Sequence, residues 1–151
     1  MRDPLFLEDM TPGRRFTAGP VMVTEAEIIA FASRYDPQPF HVDAEAAKAH
    51  PLFQGLAASG WHTAALTMPL VLEAVGHLAG GIVGGGGELL WPRPVRPGDS
   101  LSIEVEVLEA APSRSRPDRG AAVVRIRTLN QHGEEVQVFT PRIVVPRRPG
   151  A

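Results

Sequence analysis

Across the second half of the chain, apolar and polar positions alternate with a period of two. The clearest case is "SLSIEVEVLEA", which places Leu101, Ile103, Val105 and Val107 on one face and Ser102, Glu104 and Glu106 on the other. Strict alternation is the pattern of an antiparallel strand with one buried and one wet side. "AAVVRIRTLN" and "EEVQVFTPRIVV" repeat it, and the "QHGE" between them carries the glycine that a tight hairpin favours. "GELLWPRPV" predicts a further strand, "PGD" at Pro97 to Asp99 a turn, and "RSRPDRG" at Arg114 to Gly120 a polar loop.

The first half has helical periodicity instead. In "TEAEIIAFASRY", Thr24 and Glu27 form a capping box ahead of Ile28, Ile29, Phe31 and Ala32, and the helix is expected to stop before Pro37. "DAEAAKAH" predicts a second, short helix capped by Asp43 and ended by Pro51. "GWHTAALTMPLVLEAVGHLAG" predicts a third that is apolar on nearly every side and therefore buried, with a kink or break near Ala65 and Leu66 imposed by Pro69. The glycine run "GGIVGGGG" lacks the Gly-Lys-Ser/Thr ending of a phosphate loop and reads as a flexible connector. A short N-terminal strand, helices, a long buried helix and a run of antiparallel strands make an α+β fold with the sheet wrapped on the helix.

Composition narrows the function classes. At 151 residues and 44% hydrophobic content, the expectation is one domain spanning residues 1–151, with a core of about 15–146 and a tail at 147–151. With no cysteine there is no disulfide, thiolate nucleophile or cysteine-ligated zinc. Acids near the N-terminus and the lack of any eighteen-residue apolar run point to a cytoplasmic protein without a membrane segment. A net charge of −2 gives no footprint for nucleic acid, and the arginines at 114, 116 and 119 and at 147 and 148 read as solvated loop and tail.

The chemistry concentrates in "RYDPQPFHVD", Arg34 to Asp43, where Asp36 and His41 stand between two helical runs. Five extended residues reach about 16 Å, so the two side chains meet only if the loop curls back. Pro37 and Pro39 restrict the backbone on both sides of that curl. A metal site from His41, Asp43 and His50 has no recognised ligand spacing, so no metal is expected. His62 reads as a core or interface histidine, His50 as a helix end, His132 as a hairpin tip, and Asp99 as a turn residue.

Three ordered motifs, "YDPQPFHVD", "GLAASGWHTAAL" and "RPVRPGDSL", resemble the MaoC-like hydratases, the family of the (R)-specific enoyl-CoA hydratases, from roughly Thr24 to Val145. The resemblance implies the hotdog fold, an antiparallel sheet around a long central helix. It places the catalytic pair on Asp36 and His41 and the helix-start glycine on Gly60, preceded by Ser59. Gln38 stands where the family usually has Asn, and Trp61 and His62 replace smaller residues after the glycine. Gly60, Ser59, Gln38 and Trp61 are therefore the expected oxyanion and substrate-binding residues.

The implied activity is reversible hydration of a trans-2-enoyl thioester of CoA or an acyl carrier, with no cofactor. A carboxylate and an imidazole share proton transfer around one water, and unpaired amides at a buried helix N-terminus hold the negative thioester oxygen. A homodimer or dimer of dimers is implied by the same resemblance. Two alternatives stand beside it. Thioester hydrolysis on this fold usually draws its carboxylate from the central helix, which offers only Glu73; a non-catalytic thioester binder would have lost the Asp/His pair.

Overall fold

The computed structural model describes residues 1–151. After a short 3₁₀ turn at Leu7–Asp9 come β1 (Arg15–Met22), α1 (Glu25–Tyr35), α2 (Pro39–Val42), α3 (Ala44–Lys48), α4 (Gly60–Val75), β2 (Val83–Leu90), β3 (Ser100–Pro112), β4 (Arg119–Leu129) and β5 (Glu135–Pro146). The five strands form one sheet in the order β1-β3-β4-β5-β2, and every neighbouring pair is antiparallel. The chain is thus an α+β hotdog fold, the sheet wrapping the long α4.

The core follows from the alternation in the strands. Ile103, Val105 and Val107 of β3, Ala122, Val124 and Ile126 of β4 and Ile143 and Val145 of β5 face Leu70, Val71, Ala74 and Val75 of α4. Ile103 is 2% exposed, so Ile103→Ala costs about 2–5 kcal/mol through lost burial and the cavity left behind. The apolar cluster begins upstream of residue 15, since Leu5, Leu7 and Met10 join it. The tail is tied as well: Arg147 and Arg148 pair with Glu8 and Asp9 at 3.1 and 2.6 Å. No helix is long and apolar enough to cross a membrane.

The capping signals hold as read. Thr24 accepts from the Glu27 amide while the Glu27 carboxylate accepts from the Thr24 amide, and Asp43 accepts from the amides of Glu45 and Ala46. Three expectations change. The segment "VGGGG" is strand rather than flexible connector, because β5 supplies a partner ladder from Val144 to Val138, and a side chain at Gly87 would stand 2.6 Å from the Pro141 α-carbon. That strand ends at Leu90, so Trp91 to Pro94 leave the sheet, where Pro92 and Pro94 could donate nothing to a ladder. Finally, α4 is unbroken through Pro69 and stops at Val75 with Gly76 as its cap. Pro69 and Ala65, whose carbonyl loses its amide partner, both lie on the exposed side, so the freed oxygen is not enclosed in the core. That side also carries Trp61, Met68 and Leu72, 60%, 42% and 52% exposed, so α4 is buried on one face only.

Candidate active site

Two hydrogen-bonded turns bend the chain between α1 and α3. The Asp36 amide closes α1 on the Ala32 carbonyl at 2.8 Å, the Gln38 amide returns to Asp36 O at 2.8 Å, and the His41 amide to Gln38 O at 2.9 Å. Pro39 occupies the first turn of α2, where its missing N–H costs nothing and its fixed φ suits a helix. His41 thereby rides on a helical turn instead of an extended loop, and its Nε2 reaches within 3.4 Å of Asp36 Oδ2.

Each partner of this pair is oriented by residues far along the chain. His41 Nδ1 lies 2.6 Å from the Ala57 carbonyl, and because a carbonyl only accepts, Nδ1 carries the hydrogen. In the neutral ring Nε2 is then a free lone pair aimed at Asp36. Asp36 Oδ2 accepts from the Ser59 hydroxyl at 2.7 Å, and Oδ1 accepts from the Gln38 amide at 2.7 Å. Burial pushes the Asp36 carboxyl upward, but the hydrogen bonds from Ser59 and Gln38 and the proximity of His41 outweigh it, so the net shift is below the usual carboxylate range. Asp36 is held ionised. Two acceptors 3.4 Å apart leave room for one water molecule to give an O–H to each at about 2.8 Å.

His41 opens on a cavity of about 210 Å³ that it lines with Phe53, Gly60, Thr63, Trp91 and Val136, among others, and Asp36 reaches that cavity through its contact with His41. Ser59 caps α4 by accepting from the Trp61 amide at 3.3 Å, while the Gly60 amide has no partner within the chain. Gly60 is small for a reason the sequence did not suggest. A side chain there would stand 2.5 Å from the Trp91 ring, so an indole covers its α-carbon. Arg96, outside the cavity, braces the segment that carries Phe53, its guanidinium donating to the carbonyls of Phe53, Gly55 and Leu56. Its own amide is held by buried Asp99, which also accepts from Gln131 and so serves the turn structurally.

Of the residues expected from the sequence, Asp36, His41, Ser59 and Gln38 are joined by direct contacts, and Gly60 lines the cavity. Trp61 does not line it: its side chain faces outward and meets Trp91 edge-on at 5.2 Å. His62 is buried and stacked on Phe31 at 4.7 Å, its Nδ1 without a partner. Burial lowers the His62 imidazole, against a smaller upward pull from Glu27. The metal triad does not assemble, since Asp43 caps α3 and His50 Nδ1 accepts from the amides of Leu52 and Phe53. Sequence reasoning missed Trp91, Thr63 and the Ala57 carbonyl. The tryptophan in a proline-rich stretch was the one available signal.

Comparison with known proteins gives the family and the fold. Residues 8–128 match the MaoC like domain family. The crystal structure of the MaoC-like dehydratase from Rhodospirillum rubrum is 56% identical and superposes with a TM-score of 0.92, over 96% of this chain and 99% of that one. The unliganded R-hydratase PhaJ1 from Pseudomonas aeruginosa is 26% identical with a TM-score of 0.72, covering 96% and 88%. YdeM of Bacillus subtilis (strain 168), an uncharacterized protein, is 35% identical over 141 residues, 92% of this chain and 96% of its own.

Proposed function

The chain belongs to the MaoC-like domain family, whose matched structures include a dehydratase and an R-hydratase, and from that premise we propose that it adds water reversibly to a trans-2-enoyl thioester at Asp36 and His41. The observation that carries the reading is the facing of two acceptors at 3.4 Å, His41 Nε2 and Asp36 Oδ2, with His41 on the wall of a cavity and Asp36 beside it. They divide the work unequally. Asp36 accepts from both Ser59 and Gln38 and is a weak base, whereas Nε2 has no competing donor.

His41 therefore takes a proton from the water as its oxygen bonds to C3. The π electrons of C2=C3 shift toward the carbonyl, and the Gly60 amide at the first turn of α4 stabilises the resulting thioester oxyanion. Asp36 orients the water and stabilises the imidazolium, which returns the same proton to C2. The sum is one water added and no group left over. Glu73, the carboxylate on α4, is exposed and, unlike Asp36, is not paired with His41, which favours hydration over hydrolysis.

The test follows the absorbance of CoA thioesters of trans-2-enoic acids with no cofactor added. Loss of enoyl absorbance without release of free CoA is expected; release of free CoA without hydration at any chain length would overturn the assignment.

The same reading extends to assembly. Trp61, Ala65, Met68 and Leu72 make an exposed stripe on α4, and β2 leaves an unpaired edge carrying Val83 and Leu90, 53% and 49% exposed. A homodimer pairing two such edges, or a dimer of dimers, covers both. Sedimentation at micromolar concentration checks it, and a monomer of 16.2 kDa alone would refute it.

A further inference from the structure

The groove between α4 and the sheet holds a second cavity, of about 170 Å³, lined almost wholly by apolar side chains including Met68, Val71, Phe139 and Ile143. Both elements that flank the groove place it in line with the catalytic cavity. On α4 the catalytic cavity takes Gly60 and Thr63, and the second begins at Met68; on β5 the first takes Val136 and the second begins at Phe139. Thr67 and Gln137 fall between the two on their respective elements. They are 4% and 1% exposed, and the Gln137 amide donates to the Thr67 hydroxyl at 3.4 Å. The bond does not stand alone. Thr67 Oγ1 donates to the Thr63 carbonyl at 2.7 Å and lies 3.2 Å from the hydroxyl of Thr128 on β4, while Trp91 Nε1 donates to Gln137 Oε1 at 2.9 Å.

We infer that Trp91, Gln137, Thr67 and Thr128 form a hydrogen-bonded partition that closes the catalytic cavity at its inner end and restricts the enzyme to short acyl chains. The inference rests on the hydratase reading and adds the class of substrate. An apolar chain has nothing to offer a buried amide and two hydroxyls, so entering the partition means parting hydrogen bonds that no water can replace. Size points the same way. A cavity of about 150 Å³ holds benzene, so about 210 Å³ holds roughly eight non-hydrogen atoms. The thioester carbon, oxygen and sulfur, C2, C3, the attacking water and one or two further carbons account for them. The expected substrate is an enoyl thioester of about four or five acyl carbons, and by the same scale the cavity beyond the partition has room for about seven more.

The experiment measures kcat/KM for crotonyl-CoA and trans-2-octenoyl-CoA with the parent, Gln137→Ala and Thr67→Ala, each checked by melting temperature. The parent is expected to prefer the crotonyl thioester by about tenfold or more, the scale on which pockets discriminate single methylenes. Gln137→Ala opens the partition from the sheet side and Thr67→Ala from the helix side, and a folded version of either should move the ratio toward the octenoyl thioester by about tenfold. Gln137→Leu, which refills the space, should keep the short-chain preference. Equal use of the two thioesters by the parent overturns the partition and leaves the hydratase reading intact. So does an unchanged ratio in the folded variants. Hydration of neither thioester by the parent overturns the hydratase reading, and the partition's role in specificity falls with it.

Discussion

Ser59→Ala tests the site at the point where fold and chemistry share one atom. Ser59 Oγ accepts from the Trp61 amide at 3.3 Å and donates to Asp36 Oδ2 at 2.7 Å, with Ser59 fully buried. Loss of the cap at that long distance costs about 0.5–1 kcal/mol, the lower half of the usual range. The short bond to an ionised carboxylate contributes about 1.5 kcal/mol, taken at the low end because the Asp36 side chain is 18% exposed and water recovers part of it. Together they make about 2–2.5 kcal/mol, or about 5–10 °C in melting temperature for a chain of 151 residues.

The assay is thermal unfolding at fixed protein concentration, since an assembled protein melts higher when concentrated. Two controls separate the contributions. In an Asp36→Asn background Ser59→Ala breaks only a neutral hydrogen bond, about half as strong, so its cost should fall by about 0.7 kcal/mol. The second control is pH. The native Asp36 carboxyl lies below its usual value of about 3.9, so its stabilisation is full above that value and is lost as the pH falls through the lower native one. Removing Ser59 narrows the gap between native and unfolded values, so the difference between parent and variant should shrink on acidification. A cost that is the same at every pH and in both backgrounds would show that Ser59 acts as a helix cap alone.

Three further outcomes are expected. Asp36→Asn and His41→Ala should each lower kcat by about 10²–10⁴, with His41→Ala the worse and the double variant little below it, while binding of a saturated acyl-CoA survives; normal turnover in either folded variant would move the site elsewhere. Arg96→Lys keeps the charge but loses the fan of bonds to the Phe53, Gly55 and Leu56 carbonyls, which should cost about 1–3 kcal/mol and lower kcat more than it raises KM; unchanged melting temperature and kcat would count against the brace. His62 is held below its usual value by burial, so the unfolded chain takes up the proton first and stability falls as the pH drops below about 6.5. His62→Phe keeps the stack on Phe31 and should flatten stability between about pH 5 and 7; an undiminished slope would assign that dependence to another group.

What could be read in the sequence was whatever neighbours along the chain decide. The capping box of Thr24 and Glu27, the Asp43 cap and the alternation of β3 and β4 are each set within a few residues and stand as read, whereas β5 alternates only from Pro141 onward and buries Val136 and Gln137 in succession at its start. The strand at Val83 to Gly87 could not be found this way. Glycine has poor strand propensity and no side chain to alternate, and it is the β5 ladder and the close approach at Pro141 that make it strand. Trp91 escaped for a similar reason. Its place against Gly60 and Gln137 depends on where β2 stops and on the register of β5, neither of which the segment "LLWPRP" carries. Trp61 was misplaced because adjacency to Gly60 in sequence says nothing of direction, and on a helix the next residue points away from its neighbour's face.

The catalytic segment shows where local legibility ends. Asp36 and His41 are five residues apart, and Pro39 with the turn at Gln38 is enough to bring the side chains near each other. Nearness alone does not select a protonation state. The tautomer that leaves Nε2 open is imposed by the Ala57 carbonyl, 16 residues from His41, and the ionised carboxylate is favoured by Ser59, 23 residues from Asp36. Both come from the segment between α3 and the first turn of α4, whose upstream carbonyls Arg96 holds from outside the cavity. A chain keeping Asp, Pro and His in order but letting that segment drift would still place the two groups together. It would lose the lone pair and the charge that make them an acid–base pair. The chemistry therefore depends as much on "GLAASG" and the Arg96 turn as on "RYDPQPFHVD", and damage to either should appear in kcat before it appears in substrate affinity.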